Sequence, residues 1–293
     1  MRRGDMRYLR RALTAMLAVV ALGAGAPLEM ERLPPPRAAA DLPPPPPASV
    51  GLHERIGPTG VSGWMLADLE TGEVLDAHAA GEAFAPASVA KLPSAAYALA
   101  TLGERHRFET RLVVAGRVQD GVLTGDVALV GGGDPEFDTD ALMPLVRALA
   151  ARGVERVEGR FVVDPGPYGP HEAIDPGQPA DAAYNPSVAG LNLNFNRVRL
   201  EWPRGARPED VKVSARAARL DVPVTAVEVV ASGDGAVLAH DVAGNGRERW
   251  RVSPAALRRA GARWLPVRRP LAYAGDTFRA LAATHGVALP EPE

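Results

Sequence analysis

The chain has 293 residues, of which 46% are hydrophobic and 23% are charged, and its formal net charge is −2. This composition is typical of a globular protein with two domains or one elaborated domain, and the charge balance predicts no nucleic-acid partner. The sequence contains no Cys, so disulfides and cysteine-ligated metals are excluded.

The first 26 residues have the pattern of a secretory signal peptide. Arginines at positions 2, 3, 7, 10 and 11 precede an apolar run at 12–22, and small residues follow at 23–26. The apolar run is too short to span a membrane comfortably. Because Pro27 would hinder cleavage after Ala26, cleavage after Gly23 and retention as an uncleaved N-terminal anchor both stay open. The sequence therefore predicts a periplasmic protein, with residues 27–49 as a Pro-rich linker.

The folded sequence begins near Val50 with a predicted hairpin and a predicted helix. Two apolar-rich runs, 60–67 and 74–80, flank a turn at 69–72, which is typical of a β-hairpin. A small, apolar run at 92–102, ended by Gly103, predicts a helix that begins near Ser88. This helix is apolar on nearly all sides, so we expect it to be buried in a core. Pro93 fits only if it lies in the first turn.

A different pattern begins after about residue 115. Short apolar runs separated by Gly, at 121–123, 125–130 and 159–164, predict strands, and 139–152 has helical periodicity. Residues 198–230 are again typical of strands, and 274–286 predict an amphipathic helix. The fold class is therefore α+β, with a β-rich inserted region that is distinct from the Ser88 helix.

Ser88 and Lys91 are the candidate catalytic residues. Lys91 and Lys212 are the only lysines, and every other fixed cation is Arg. A Ser and a Lys one helical turn apart share a helix face. An ammonium can lose its proton when desolvated, whereas a guanidinium effectively cannot, so the pair has the layout of a serine nucleophile with an amine base. An ordinary helix start with a solvated Lys is the alternative at this point.

Three other motifs favour structural roles. The run Gly131-Gly132-Gly133-Asp134-Pro135 predicts a tight turn, because no Gly-Lys-Ser/Thr follows it as in a phosphate-binding loop. His53-Glu54 and His171-Glu172 lack a further His at zinc-binding spacing. The Asn-rich run 184–196 is typical of turn and loop hydrogen bonding. We expect neither a metal nor a cofactor.

These segments, in this order, resemble one protein family. The chain resembles the D-alanyl-D-alanine carboxypeptidase/endopeptidase family of class C low-molecular-mass penicillin-binding proteins. The similar segments are the hairpin around Thr71-Gly72, the run Pro86 to Lys91, the run Gly125 to Pro135, the strand 159–164 and the run Asn192-Leu193-Asn194-Phe195-Asn196. The Gly-Gly-Gly-Asp-Pro segment is the more family-specific part, since S-x-x-K is shared with many β-lactamases.

The resemblance implies a fold and a reaction. The fold would be the N-terminal part of a serine transpeptidase/β-lactamase-like domain (50–115), interrupted by β-rich inserted domains (116–265) and resumed at 266–293. Ser88 would attack the penultimate D-Ala carbonyl of a peptidoglycan stem peptide, Lys91 would accept its proton, and the Ser88 N–H would form half of the oxyanion hole. The partners implied are peptidoglycan stem peptides and β-lactam antibiotics as acylating inhibitors. A homo-oligomer stays open.

Two further motifs of this family do not occur in the sequence. Neither an S-x-N nor a K-T-G is present, so we expect the final part of the transpeptidase-like domain to be cut short. Two alternatives to a serine peptidase follow. One is a non-catalytic periplasmic protein that binds peptidoglycan or acts as a scaffold, and the other is a β-lactamase, against which the long insertion argues.

Overall fold

The computed structural model describes residues 62–232 and 238–293. The chain divides into two compact units between His106 and Arg107, and the described residues contain both strands and helices, as expected for an α+β protein. The predicted signal peptide, the Pro-rich linker and His53-Glu54 lie outside the described residues.

The described part of unit 1 begins with the predicted hairpin. Strand β1 (Trp64–Ala67) pairs antiparallel with β2 (Val74–His78). The turn is closed by Asp68, whose Oδ1 accepts the backbone N–H groups of residues 70 and 71 at 2.9 and 2.7 Å. These bonds give the turn's backbone N–H groups the acceptor that the pairing between strands no longer supplies at a turn. The hairpin prediction is confirmed.

The helix predicted near Ser88 follows the hairpin. A single 3-10 turn (Ala87–Ala90) leads directly into helix α1 (Lys91–Leu102). Pro93 falls in the first turn of α1, where its missing N–H is tolerated. Gly103 ends the helix with a φ of +83°, a conformation that glycine adopts without strain.

The described part of unit 2 contains three sheets and two helices. Its strands are β3 (Arg111–Gln119), β4 (Val122–Val130), β5 (Arg156–Glu158), β6 (Phe161–Asp164), β7 (Arg197–Trp202), β8 (Lys212–Arg216), β9 (Asp221–Pro223), β10 (Val227–Ala231), β11 (Leu238–Val242), β12 (Glu248–Val252) and β13 (Gly261–Pro266). Its helices are α2 (Thr139–Ala150) and α3 (Pro270–Ala283), and 3-10 turns occur at Leu193–Asn196, Pro208–Asp210 and Ala256–Arg258.

The first sheet of unit 2 is built around β4. Strand β3 pairs antiparallel with it, and β5 and β6 pair parallel with its two halves. The segment 288–293 extends this sheet, since Ala288 bridges to Arg156 and Pro292 bridges to Phe161, both in parallel. The second sheet has the antiparallel order β13-β7-β8-β9. In the third, β12 lies between β10, to which it is parallel, and β11, to which it is antiparallel.

The two helices of unit 2 contact each other, and α3 also packs against β6 and β9. The ring centroids of Phe161 and Phe278 lie 5.6 Å apart, and both side chains are fully buried. A Cβ on Gly275 would lie 2.8 Å from Val163 Cγ2, so glycine allows the helix to approach the sheet this closely. Helix α3 begins four residues before the predicted start, because Pro270 is compatible with a first helical position.

Two buried carboxylates join the helices of unit 2 to its loops. The Asp276 side chain on α3 accepts the N–H groups of Thr225 and Ala226 at 2.5 and 2.9 Å. The Asp140 side chain on α2 accepts the N–H groups of residues 219 and 220. Each carboxylate therefore accepts hydrogen bonds from backbone N–H groups that have no partner in a β-sheet.

The triple-glycine run lies where two chain segments meet. A Cβ on Gly131 would lie 2.5 Å from the Gly190 oxygen, and the Gly133 N–H donates to that oxygen at 2.7 Å. Gly133 has a φ of +83°. Glycines at these positions permit a backbone approach that any side chain would block.

The domain limits 50–115, 116–265 and 266–293 stay predictions. Within unit 2, the segment 266–293 contributes α3 and the pairing beside β5 and β6.

Candidate active site

Ser88 is held in the 3-10 turn that precedes α1. The Val89 N–H donates to the Pro86 oxygen at 2.9 Å, and the Lys91 N–H donates to the backbone oxygens of Ser88 and Val89. Ala87 has a φ of +43°, which is uncommon for a residue with a Cβ. The backbone is thus in a sparsely populated conformation directly before the candidate nucleophile.

The structure brings the two predicted site residues together. Lys91 Nζ donates a hydrogen bond to Ser88 Oγ, and the two atoms lie 2.9 Å apart. Lys91 occupies the first position of α1, so the three-residue spacing places both side chains on one face. This distance allows direct proton transfer between hydroxyl and amine. The catalytic roles of both residues stay predictions.

The expected burial of α1 is wrong for this structure. None of its twelve residues is buried, and Leu92, Tyr97 and Leu99 are 63%, 67% and 55% exposed. A helix that is apolar on most sides is buried only where other layers cover it. Besides α1, the described part of unit 1 contains one two-stranded hairpin and one 3-10 turn, which are too small to enclose a twelve-residue helix.

The Asn-rich run hydrogen-bonds the core of unit 2. Asn194 Oδ1 accepts the Thr139 N–H at 3.0 Å, and Asn194 Nδ2 donates to Thr139 Oγ1 at 2.8 Å and to the Tyr273 hydroxyl at 3.0 Å. Burial raises the pKa of Tyr273, so its hydroxyl stays protonated and donates to the Arg197 oxygen. Residues 194–196 have φ values of +52°, +58° and +48°. Asn tolerates this left-handed conformation better than most residues.

Of the two His-Glu pairs, the structure describes His171-Glu172. In the part of the chain that the structure describes, no group of three or more His, Asp or Glu side chains is arranged to hold a metal ion. The backbone of His171 pairs with that of Val188, and the Glu172 oxygen accepts a hydrogen bond from Arg268. Within the same residues, no helix has both the length and the apolar character that crossing a bilayer requires.

A second polar surface, which no sequence motif singled out, lies on unit 2. Its centre is Trp264 on β13, with the guanidinium carbons of Arg197 and Arg199 at 5.7 and 5.4 Å from the indole ring. The alternation Arg197-x-Arg199 at the beginning of the strand-like run 198–230 was the available signal, because residues two apart in a strand share a face. Only the pairing of β7 with β13 brings Trp264 to that face.

Comparison with known proteins identifies the family. The model of the D-Ala-D-Ala carboxypeptidase 3 (S13) family matches residues 53–291. The chain belongs to this family. A D-alanyl-D-alanine carboxypeptidase of Actinomadura sp. (strain R39) is 31% identical over 176 residues, which are 59% of this chain and 32% of that protein. The D-alanyl-D-alanine carboxypeptidase DacB of Haemophilus influenzae is 30% identical over 86 residues, which are 29% of this chain and 18% of that protein.

Solved structures bear out the S13-family fold. The crystal structure of penicillin binding protein 4 (dacB) from Haemophilus influenzae aligns with a TM-score of 0.56 and 21% identity, over 78% of this chain and 51% of that one. The same protein complexed with a β-lactam aligns with a TM-score of 0.53 and 20% identity, over 78% and 50%. The chain thus spans about half the length of these structures and a third or less of the two curated relatives.

Proposed function

We propose that this S13-family chain provides the nucleophile of a serine D-alanyl-D-alanine carboxypeptidase that acts on peptidoglycan stem peptides. The observation that carries the proposal is the 2.9 Å hydrogen bond between Lys91 Nζ and Ser88 Oγ, the two functional groups of the Ser-x-x-Lys motif, within the region 53–291 that matches the family. The names of the two curated relatives support the same reaction.

The reaction would proceed in two steps. Ser88 Oγ attacks the carbonyl carbon of the penultimate D-Ala while its proton passes to Lys91 Nζ. The tetrahedral intermediate then expels the amine of the terminal D-Ala, which takes a proton from the Lys91 ammonium, and an ester on Ser88 remains. In the second step a water molecule attacks this ester, and the shortened peptide and free Ser88 are released.

The exposure of α1 bears on how such a site would become active. Removal of water from a Ser–Lys pair favours the neutral amine, which can accept the hydroxyl proton. Both Ser88 and Lys91 are exposed in this structure. A substrate or a polypeptide surface that covers the apolar side chains of α1 would also exclude water from the pair.

Covalent labelling with a fluorescent penicillin tests the proposal. The folded chain is incubated with the label, and Ser88→Ala and Lys91→Arg serve as controls. Ser88→Ala removes the nucleophile, and Lys91→Arg keeps the charge but removes the base, so we expect no labelling of the first and at least ~10²-fold slower labelling of the second. Labelling that persists in Ser88→Ala, or a folded chain that never labels, would contradict the proposal.

A second candidate function is a non-catalytic protein that binds peptidoglycan or acts as a scaffold. It is favoured by unit 2, which has its own buried core and carries an open depression beside Trp264. A folded chain that does not label with penicillin yet sediments with insoluble peptidoglycan would support this second function. For either function we propose export to the periplasm, which is tested by fractionation of cells that produce the full chain.

A further inference from the structure

An open depression of about 560 Å³ lies on unit 2, between the loop 179–184 and the strands β7 and β13. We call it the Trp264 depression, and the side chains that matter for its chemistry are Asp181, Tyr184, Arg199, Arg263 and Trp264. Neither Ser88 nor Lys91 lines it.

Aromatic rings and guanidinium groups alternate from the depression outward: Arg199 and Trp264 line it, and Arg197 and Phe195 continue the row next to it. The Arg197 guanidinium carbon lies 5.0 Å from the centroid of the Phe195 ring and 5.7 Å from that of Trp264, and Arg199 lies 5.4 Å from Trp264. Each distance is within the range of a cation–π contact. Arg197 Nε is buried and has no hydrogen-bond partner among the described residues, so the ring contacts hold this cation without neutralising it.

The depression and the strand residues next to it carry a positive excess, since Arg199, Arg263 and Asp181 line the depression and Arg197, Glu201 and Arg216 lie beside it. Arg199 and Arg216 share the carboxylate of Glu201, at 3.3 and 2.9 Å, and Arg263 pairs with Asp181. Arg197 adds a further cation, which faces aromatic rings rather than a carboxylate. The positive excess is local, because the whole chain has a formal net charge of −2. A local excess of this kind favours ligands that carry carboxylates or other anionic groups.

One wall of the depression is firmly held. Arg268 donates from its guanidinium to the backbone oxygens of Glu172, Ala180 and Asn185, at 2.8, 2.9 and 2.7 Å. The bonds to Ala180 and Asn185 fix the two ends of the segment that contains Asp181 and Tyr184, and the bond to Glu172 ties the same guanidinium to the preceding loop. A surface whose shape is set before the ligand arrives loses less conformational entropy on binding.

We propose that the Trp264 depression binds a glycan strand of peptidoglycan together with its peptide stems. Sugar rings have flat C–H faces that stack on indole and phenol rings, and here Trp264 is partly buried while Tyr184 is 71% exposed. The stems carry carboxylates, which arginines bind in a fork geometry. An open depression suits an extended polymer, because the strand can enter and leave at both ends. The choice of peptidoglycan as the polymer rests on the proposed function.

Nucleic acid is the competing class, since single strands also combine flat rings with negative charge. The membership of the chain in the S13 family favours peptidoglycan. The two are separated by the test, because a phosphate backbone needs no peptide stem for its affinity.

The test measures binding by the full chain with Ser88→Ala, so that no acylation or turnover contributes. The probes are soluble glycan strands that bear tetrapeptide stems, the same strands after an amidase has removed the stems, and a single-stranded DNA oligonucleotide. We expect the stem-bearing strands to bind at least ~10-fold more tightly than either of the other two. Such a ratio corresponds to about 1.4 kcal/mol.

Variants assign the binding to the depression. Trp264→Ala, Tyr184→Ala and Arg199→Gln, each at a residue that lines the depression, are expected to weaken binding of the stem-bearing strands by ~5- to 20-fold, which is the effect of losing one stacking or charged contact. The matched control is Tyr168→Ala, which removes a tyrosine that is 58% exposed and does not line the depression. Trp264→Ala alone could weaken binding through a folding defect. Tyr184→Ala avoids this ambiguity, because Tyr184 is mostly exposed and its removal should leave the fold intact.

Two results would overturn the inference. One is unchanged binding in both Tyr184→Ala and Trp264→Ala, and the other is DNA binding as tight as that of the stem-bearing strands. Penicillin labelling of the chain with Ser88 intact separates this failure from that of the proposed function. If the chain labels with penicillin but shows either result, only the inference on the depression is refuted. If the chain binds the strands through Trp264 but never labels, only the enzymatic proposal is refuted.

Discussion

The amide of Asn194 provides a sharp test of how unit 2 is held together. Asn194→Ala removes all three of its hydrogen bonds and leaves the Thr139 N–H, at the first position of α2, without this partner. Thr139 Oγ1 keeps the Ala215 oxygen at 3.4 Å, and the Tyr273 hydroxyl keeps the Arg197 oxygen. The main loss is therefore one buried donor, which costs about 1–3 kcal/mol.

The backbone of Asn194 adds a second contribution to the effect. Its φ is +52°, where Ala is about 1 kcal/mol less favourable than Gly. We expect Asn194→Ala to lower the free energy of unfolding by about 2–4 kcal/mol, and Asn194→Gly to lower it by about 1 kcal/mol less, because glycine accepts this conformation.

Urea unfolding followed by tryptophan fluorescence measures both values by linear extrapolation. A Trp64→Phe background restricts the signal to unit 2, since the other three of the four tryptophans lie there. Asn245→Ala is the control, because Asn245 lies in an exposed turn and its amide oxygen accepts only the nearby Arg247 N–H. A loss below about 0.5 kcal/mol for Asn194→Ala would refute the assigned role of the amide, and equal losses for Ala and Gly would refute the backbone contribution.

Two further substitutions test the carboxylates of unit 2 in the same background. Asp276→Asn replaces one acceptor oxygen of a buried carboxylate by an amide NH2 group, which cannot accept a hydrogen bond. We expect the free energy of unfolding, measured in urea, to fall by about 1–3 kcal/mol. An unchanged urea midpoint would contradict this role of Asp276. The guanidinium of Arg160, hydrogen-bonded to Asp126, lowers the pKa of Asp126 below 3.8. Because the folded-state pKa is the lower one, this carboxylate stabilises the fold above about pH 4 and loses its effect as the pH falls through the folded-state value. The free energy of unfolding of Asp126→Asn should therefore differ most from that of the parent chain at neutral pH. A difference in this free energy that grows on acidification would contradict the assigned direction of the pKa shift.

The local elements could be predicted from the sequence because their signals are local. The apolar run that Gly103 ends, the spacing of Ser88 and Lys91, and the hairpin turn at 69–72 each depend on residues within one or two turns of chain. For that reason the three-residue spacing alone was enough to predict that the Ser88 and Lys91 side chains lie within reach of each other.

What the sequence could not provide was the environment of these elements. The apolar character of α1 predicted burial, but burial depends on which layers lie over the helix, and Leu92 and Tyr97 are exposed. The Trp264 depression was missed for a related reason. Trp264 and Arg199 lie 65 positions apart and meet only through the antiparallel pairing of β13 with β7. No pattern in a short window contains that register.

The pairing of the segment 288–293 with the first sheet has a consequence for the order in which unit 2 folds. The Val163 N–H donates to the Glu293 oxygen and the Glu293 N–H to the Phe161 oxygen, so ladder bonds of β6 come from a segment made roughly 130 residues later. Hydrogen bonds between such distant segments form slowly, because a long loop must close first. Until that segment has docked, β6 therefore has a row of unpaired backbone groups that could pair with other chains. The docking of residues 288–293 closes this edge, so it also protects unit 2 against edge-to-edge association during folding.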